Sequence, residues 1–117
     1  MKAKYFNLRA DAAKVLHQIL EEGQSARECL PAAQLPHKEQ DKAWLQEMVY
    51  GVLRNLPILQ FWLRQLLDKP LKNRFKIVEQ LIMLGFYQLA FSRVSQHAAV
   101  SETVAACQPL NTLAMKG

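Results

Sequence analysis

A chain of 117 residues, half of them apolar and 21 % charged, suits one domain with a real core and fits neither a disordered segment nor a fibre. Fifteen basic against ten acidic side chains leave a net charge of +5, a field that favours polyanions and that solubility alone would also explain. Glycine and proline are scarce, which points to helices, and the longest nearly apolar run, Leu81 to Phe91, is about half of what a membrane-spanning helix needs. Lys2 and Lys4 are followed by Asn7, Arg9 and Asp11 where a secretory signal would be apolar, so the reading is a cytoplasmic protein with no membrane partner. Cys29 and Cys107 have no cysteine or histidine at zinc-ligand spacing and are read as buried, reduced core residues.

In chain order, Leu8, Ala12, Val15, Leu16, Ile19 and Leu20 form one helical stripe, and Gly23 suits a helix end, so a first helix runs near Leu8 to Glu22. Ser25 and Glu28 stand at capping-box spacing and start a short second helix, which Pro31 should bend or interrupt before Pro36. Asp41 to Asn55 reads DKAWLQEMVYGVLRN; Leu45, Met48, Val49, Val52, Leu53 and Leu56 make its apolar stripe, with Arg54 placed to complement the helix end and pin the following turn. Pro57 opens a fourth helix carrying Leu59, Trp62, Leu63, Leu66 and Leu67, closed by Pro70. Asn73 is the expected cap of a long fifth helix whose Phe75, Val78, Ile82, Phe86 and Leu89 face one way; apolar nearly all round, it should be the central helix. Ser95 caps a sixth helix with Ala98, Ala99, Val100, Thr103, Val104 and Cys107, which Pro109 should end. Asn111 to Gly117 then reads as the start of an unfinished helix, so the chain is expected to be truncated, its incomplete end leaving an apolar groove open to a second copy. The expected fold class is all-α: two three-helix groups packed around the fifth helix.

Nothing in this pattern carries catalysis. Gly23, Gly51, Gly85 and Gly117 are isolated, so no glycine-rich cofactor loop can be built, and no cofactor or metal is expected in this piece. His17, His37 and His97 have no cysteine or acid at readable spacing and are read as packing or capping groups; Asp41, Glu47 and Glu102 are read as caps and interhelix partners. The candidate polyanion contacts are Lys2, Lys4 and Arg9 at the amino end, and Arg64, Lys69, Lys72, Arg74 and Lys76 between the fourth and fifth helices, with Asp68 the only nearby acid. A solvated inter-helix loop would look the same. Trp44, Trp62, Phe61 and Tyr5 are candidates for stacking on unpaired bases, with core packing preferred for Trp44 and Tyr5 and above all for Trp62.

Leu8-Arg9 followed by paired alanines, Asp41 with Tyr50-Gly51-Val52-Leu53-Arg54, Leu84-Gly85-Phe86-Tyr87-Gln88-Leu89, and His97-Ala98-Ala99-Val100 before Glu102-Thr103-Val104 resemble the NusB family of all-helical RNA-binding domains. Within it, the Leu84–Leu89 segment and the His97-Ala98-Ala99-Val100 to Glu102-Thr103-Val104 segment are similar to the N-terminal domain of RsmB-type (Sun/Fmu) methyltransferases. That resemblance implies a bacterial parent enzyme that methylates carbon 5 of a cytosine in 16S ribosomal RNA with S-adenosylmethionine, in a C-terminal catalytic domain absent from residues 1–117. Ribosomal RNA and that catalytic domain are the implied partners. The catalytic cysteine of such enzymes usually follows a proline; Cys29 follows Glu28 and Cys107 follows Ala106, so neither matches. The alternatives are a free-standing NusB-type antitermination factor, which the spread of Lys2, Lys4 and Arg9 in place of an arginine-rich start weakens, and a helical protein-interaction module.

Overall fold

Local chemistry sets the ends of most helices. The computed structural model describes residues 7–92 and 95–116, with side chains up to residue 106. Among the described residues there are six α-helices and no strand: α1 (Leu8–Leu20), α2 (Ala26–Gln34), α3 (Glu39–Arg54), α4 (Leu56–Leu66), α5 (Lys76–Phe91) and α6 (Gln96–Lys116), with a single 3₁₀ turn, Asn73–Phe75, leading into α5. The all-helical fold class expected from periodicity is therefore the observed one.

Asn7 starts α1 by accepting the amide of Ala10 at 2.9 Å, and Gly23, at φ 72°, lets the Gln24 amide turn back to the Gln18 carbonyl at 2.9 Å. Ser25 caps α2 through a 3.1 Å bond from the Arg27 amide. Ser95 does the same for α6, accepting from Ala98 at 3.1 Å. Pro57 sits in the first turn of α4, where its missing donor costs nothing.

Two prolines behave differently from expectation, for one reason. Helix α2 passes through Pro31 uninterrupted to Gln34, and α6 passes through Pro109 to Lys116. The carbonyls that lose their donor belong to Arg27 and Ala105, both exposed, so water replaces the bond and the cost falls short of the roughly 3 kcal/mol of an interior proline. Asn111 onward is thus the continuation of α6. Two caps also shift. Helix α3 begins with Lys38 as its cap, leaving Asp41 in the first turn, and Asn73 opens the 3₁₀ turn while Phe75 precedes α5.

Helix α5 is central as expected, touching α1, α3, α4 and α6, but its buried face is rotated from the predicted one. Gln80, Leu81, Met83, Leu84, Tyr87 and Gln88 are enclosed, whereas Val78, Ile82 and Phe86 are half-buried and Leu89 is exposed. Gln80, Leu84 and Gln88 form one buried row at spacings of four, two of its three side chains polar. Helices α1, α2 and α3 contact one another, and α4 and α6 flank α5, which joins the two groups. The alanines at 10, 12 and 13 on α1 are all buried and let it lie close to its neighbours. Gly51 has the same use on α3: a Cβ there would fall within the ring of Tyr87. No helix among the described residues is long and apolar enough to cross a membrane.

Cys29 is buried on α2, as predicted, whereas the Cys107 side chain lies outside the described residues. Burial pushes the Cys29 thiol pKa up, a backbone hydrogen bond opposes the rise, and the charge of Glu28 adds to it. A raised pKa leaves less thiolate at neutral pH, so in a Cys107→Ser background an aromatic disulfide reagent at pH 7 should modify Cys29 no faster than the domain opens. Immediate modification of the folded protein would contradict this.

Candidate nucleic-acid interface

Of the eight basic residues expected to meet RNA, Lys2 and Lys4 lie outside the described residues, as does Tyr5. The other six fall into two kinds: cations held by the fold and cations left in solvent.

Arg9 is held. Its Nε donates to Gln88 Oε1 at 2.8 Å and its guanidinium lies 5.0 Å from the centroid of the Trp44 ring. Burial lowers the Arg9 pKa, and the charge of Glu102 on α6 works against that. Gln88 is fully buried and also donates to the Leu84 carbonyl at 3.2 Å, so Arg9 and Gln88 tie α1 to α5 across the core. Arg9, a candidate contact at the amino end, thus joins helices, with Trp44 half-buried beneath it.

Arg64 and Lys76 are held as well. The Glu79 side chain is only 5 % exposed; its Oε1 lies 3.3 Å from Arg64 Nη2 and 3.7 Å from Lys76 Nζ, while its Oε2 accepts the Leu71 amide at 2.7 Å. This carboxylate ties the α4–α5 connection to the first turn of α5. Asp68 is therefore not the only acid near the basic stretch. The missed signal was Glu79 itself, three residues after Lys76 on the same helix face.

Lys69, Lys72 and Arg74 remain exposed, and none of them forms an ion pair among the described residues. Arg74 lies 5.0 Å over the ring of Phe75, which steadies a long side chain without neutralising it. These three cations occupy one short connection fixed at both ends, by α4 and by Glu79. Such an arrangement offers sequence-independent phosphate contacts.

Among the aromatics, Trp62 packs edge-on to Phe86 at 6.0 Å and stacks on Phe91 at 6.1 Å, consistent with the core role preferred for it. Phe61, on the other side of α4, is 58 % exposed. Two of the histidines meet carboxylates: His37 Nε2 lies 2.8 Å from Asp11 Oδ2, bridging the α2–α3 turn to α1. His17 lies 3.7 Å from Glu22, and His97 is exposed in the first turn of α6. Asn55, not Arg54, pins the α3–α4 turn, donating from Nδ2 to the Gly51 carbonyl at 2.8 Å; Arg54 is exposed.

Residues 1–117 align in full with the ribosomal RNA small subunit methyltransferase B of Proteus mirabilis at 45 % identity, covering 28 % of that protein. The proteins of the same name from Pectobacterium carotovorum and Vibrio cholerae are each 45 % identical over 117 and 111 residues, covering 27 % and 26 % of their lengths. The chain thus spans about a quarter of the curated relatives it matches. The NusB family model matches residues 7–114, nearly the whole chain, and the protein belongs to the NusB family.

Proposed function

We propose that the chain is the non-catalytic N-terminal domain of a longer ribosomal RNA small subunit methyltransferase, and that it docks ribosomal RNA for a C-terminal catalytic domain. The carrying observation is the alignment: the full chain matches proteins of that name while spanning about a quarter of their length. A free-standing antitermination factor or an interaction module would not be expected to align end to end with one quarter of such enzymes.

In this reading the rest of the protein binds S-adenosylmethionine and methylates carbon 5 of one cytosine in the cytoplasm. The residues present do not fit that cofactor. Gly51 and Gly85 lie inside helices, against Tyr87 and Thr103, and so cannot form a phosphate- or nucleoside-cradling loop. The domain contributes affinity: Lys69, Lys72 and Arg74 contact phosphates, Lys2 and Lys4 add charge, and the tethered catalytic domain sees a raised local concentration of its substrate. Arg9, Arg64 and Lys76 support the surface from within. Val100 and Val104, exposed on α6, give the rest of the enzyme an apolar strip to cover; light scattering of this piece alone reads whether a second copy covers it instead.

Filter binding to small-subunit ribosomal RNA at about 50 and about 200 mM salt tests the reading. Replacing Lys69, Lys72 and Arg74 by alanine should weaken binding and flatten the log–log salt slope by about 2 to 3, roughly one per lost phosphate contact. All three are exposed, so the melting temperature should hardly move. Unchanged affinity in the triple variant would remove this surface from the reading, and no binding by the wild type would remove RNA docking altogether.

A further inference from the structure

Of the two rings on α4, Phe61 is the one turned to water. It stands two positions from Leu59 and from Leu63, the buried residues of that helix, which places it on the opposite side, and it is 58 % exposed. Trp62, Phe86, Tyr87 and Phe91 contact one another in pairs, whereas Phe61 has no ring contact among the described residues. A single apolar residue on a surface needs no explanation, so its surroundings decide.

Pro57, Ile58, Arg64 and Gln65, three or four positions away, share the Phe61 face. None is acidic, and α4 carries no carboxylate along its whole length. Arg64 also fixes where the basic connection runs: it pairs with Glu79, whose other oxygen holds the Leu71 amide, and Gln60 and Arg64 line one cavity with Pro70. The connection therefore leaves α4 on the side next to Phe61. From Phe61, five helical residues lead to Leu66 and three more to Lys69, a path of at most about 18 Å. Lys69, Lys72 and Arg74 outnumber Asp68, the exposed acid of that connection.

The scale of this face selects the occupant. A protein partner of standard size buries about 800 Å² on each side, whereas here one phenylalanine and a partly exposed isoleucine are bordered by glutamines and an arginine. An unpaired nucleotide fits that scale, with a π face for the ring and a phosphate for the cations. We propose that Phe61 is a stacking platform for one unpaired base of single-stranded RNA whose backbone runs along Lys69, Lys72 and Arg74. The proposal rests on the RNA-docking reading and adds a base contact, tolerant of sequence, to the phosphate contacts.

The test titrates wild type, Phe61→Leu and Phe61→Trp with a mixed-sequence single-stranded oligoribonucleotide and with the same backbone carrying abasic sites. Phe61→Leu keeps an apolar side chain and the net charge but removes the ring. It should weaken binding of the intact strand by about fivefold to a hundredfold, the scale of one lost base stack, and leave the abasic strand and the salt slope as in wild type. Phe61→Trp should bind the intact strand at least as tightly as wild type. Its emission beyond that of Trp44 and Trp62 should be quenched by the intact strand and not by the abasic one. Position 61 is exposed, so both variants should melt with wild type. Intact-strand affinity unchanged in Phe61→Leu, which would leave the ring to a protein partner, or affinity lowered equally for the abasic strand, overturns the platform while RNA docking stands. Failure of wild type to bind either strand overturns both.

Discussion

Replacing Gly51 by alanine should lower the melting temperature by roughly 5–15 °C. A glycine-to-alanine change inside an exposed helix would be favourable by about 1 kcal/mol, so propensity alone predicts the opposite sign. Packing decides against it. The new Cβ would overlap the ring of Tyr87, which is buried and stacked at 5.9 Å on Phe91, so either the ring swings or α3 and α5 part. Overpacking of this kind costs about 1–3 kcal/mol, more where the neighbour is a stiff ring. At roughly 4–8 °C per kcal/mol for a domain near this size, the net loss is visible in a thermal melt. Adding Tyr87→Leu should return part of the loss, a coupling that a double-mutant cycle measures. A stabilised Gly51→Ala would show that the two helices do not approach as described.

Glu79→Ala should cost about 2–3 kcal/mol. Breaking a buried pair costs about 3–5 kcal/mol, but Arg64 is 38 % exposed and Lys76 also reaches solvent, so water recovers part of the loss. The change also removes the acceptor of the Leu71 amide and opens a void at the start of α5. Glu79→Gln keeps an acceptor for that amide and loses the ion pairs, so it should fall between wild type and alanine. Urea unfolding of the three proteins reads the order. The second consequence concerns RNA: with Glu79 gone, Lys69, Lys72 and Arg74 stand on a looser connection, so affinity should fall although net charge has become more positive. Tighter binding by Glu79→Ala would mean that charge count alone sets affinity.

Much of the fold was legible because helices announce themselves through period and caps. The bounds of α1, α3 and α4 and the caps Ser25 and Ser95 appear at or within two residues of their expected places, although Leu66 of the expected α4 stripe is exposed. The misreadings share a cause: each needed knowledge of which face meets water. Pro31 and Pro109 are tolerated because the carbonyls they leave unbonded belong to exposed residues, and exposure is a tertiary property. Gln80 and Gln88 are polar yet enclosed, while the apolar Leu89 and Phe91 of the same helix are exposed. The basic stretch was legible as charge, yet its division into held and free cations was not. Arg64 reaches its acid on another helix, and Arg9 reaches Gln88 across 79 positions of sequence.

That last bond has a consequence for biosynthesis. The alanine stripe of α1 is translated well before α5, the helix that packs on it: Arg9 and Gln88 stand 79 positions apart. At roughly 5–20 residues per second the ribosome needs about 4 to 16 s to produce the intervening stretch. During that interval the nascent segment carries an uncovered apolar face and an unmatched guanidinium, a natural client for a holding chaperone.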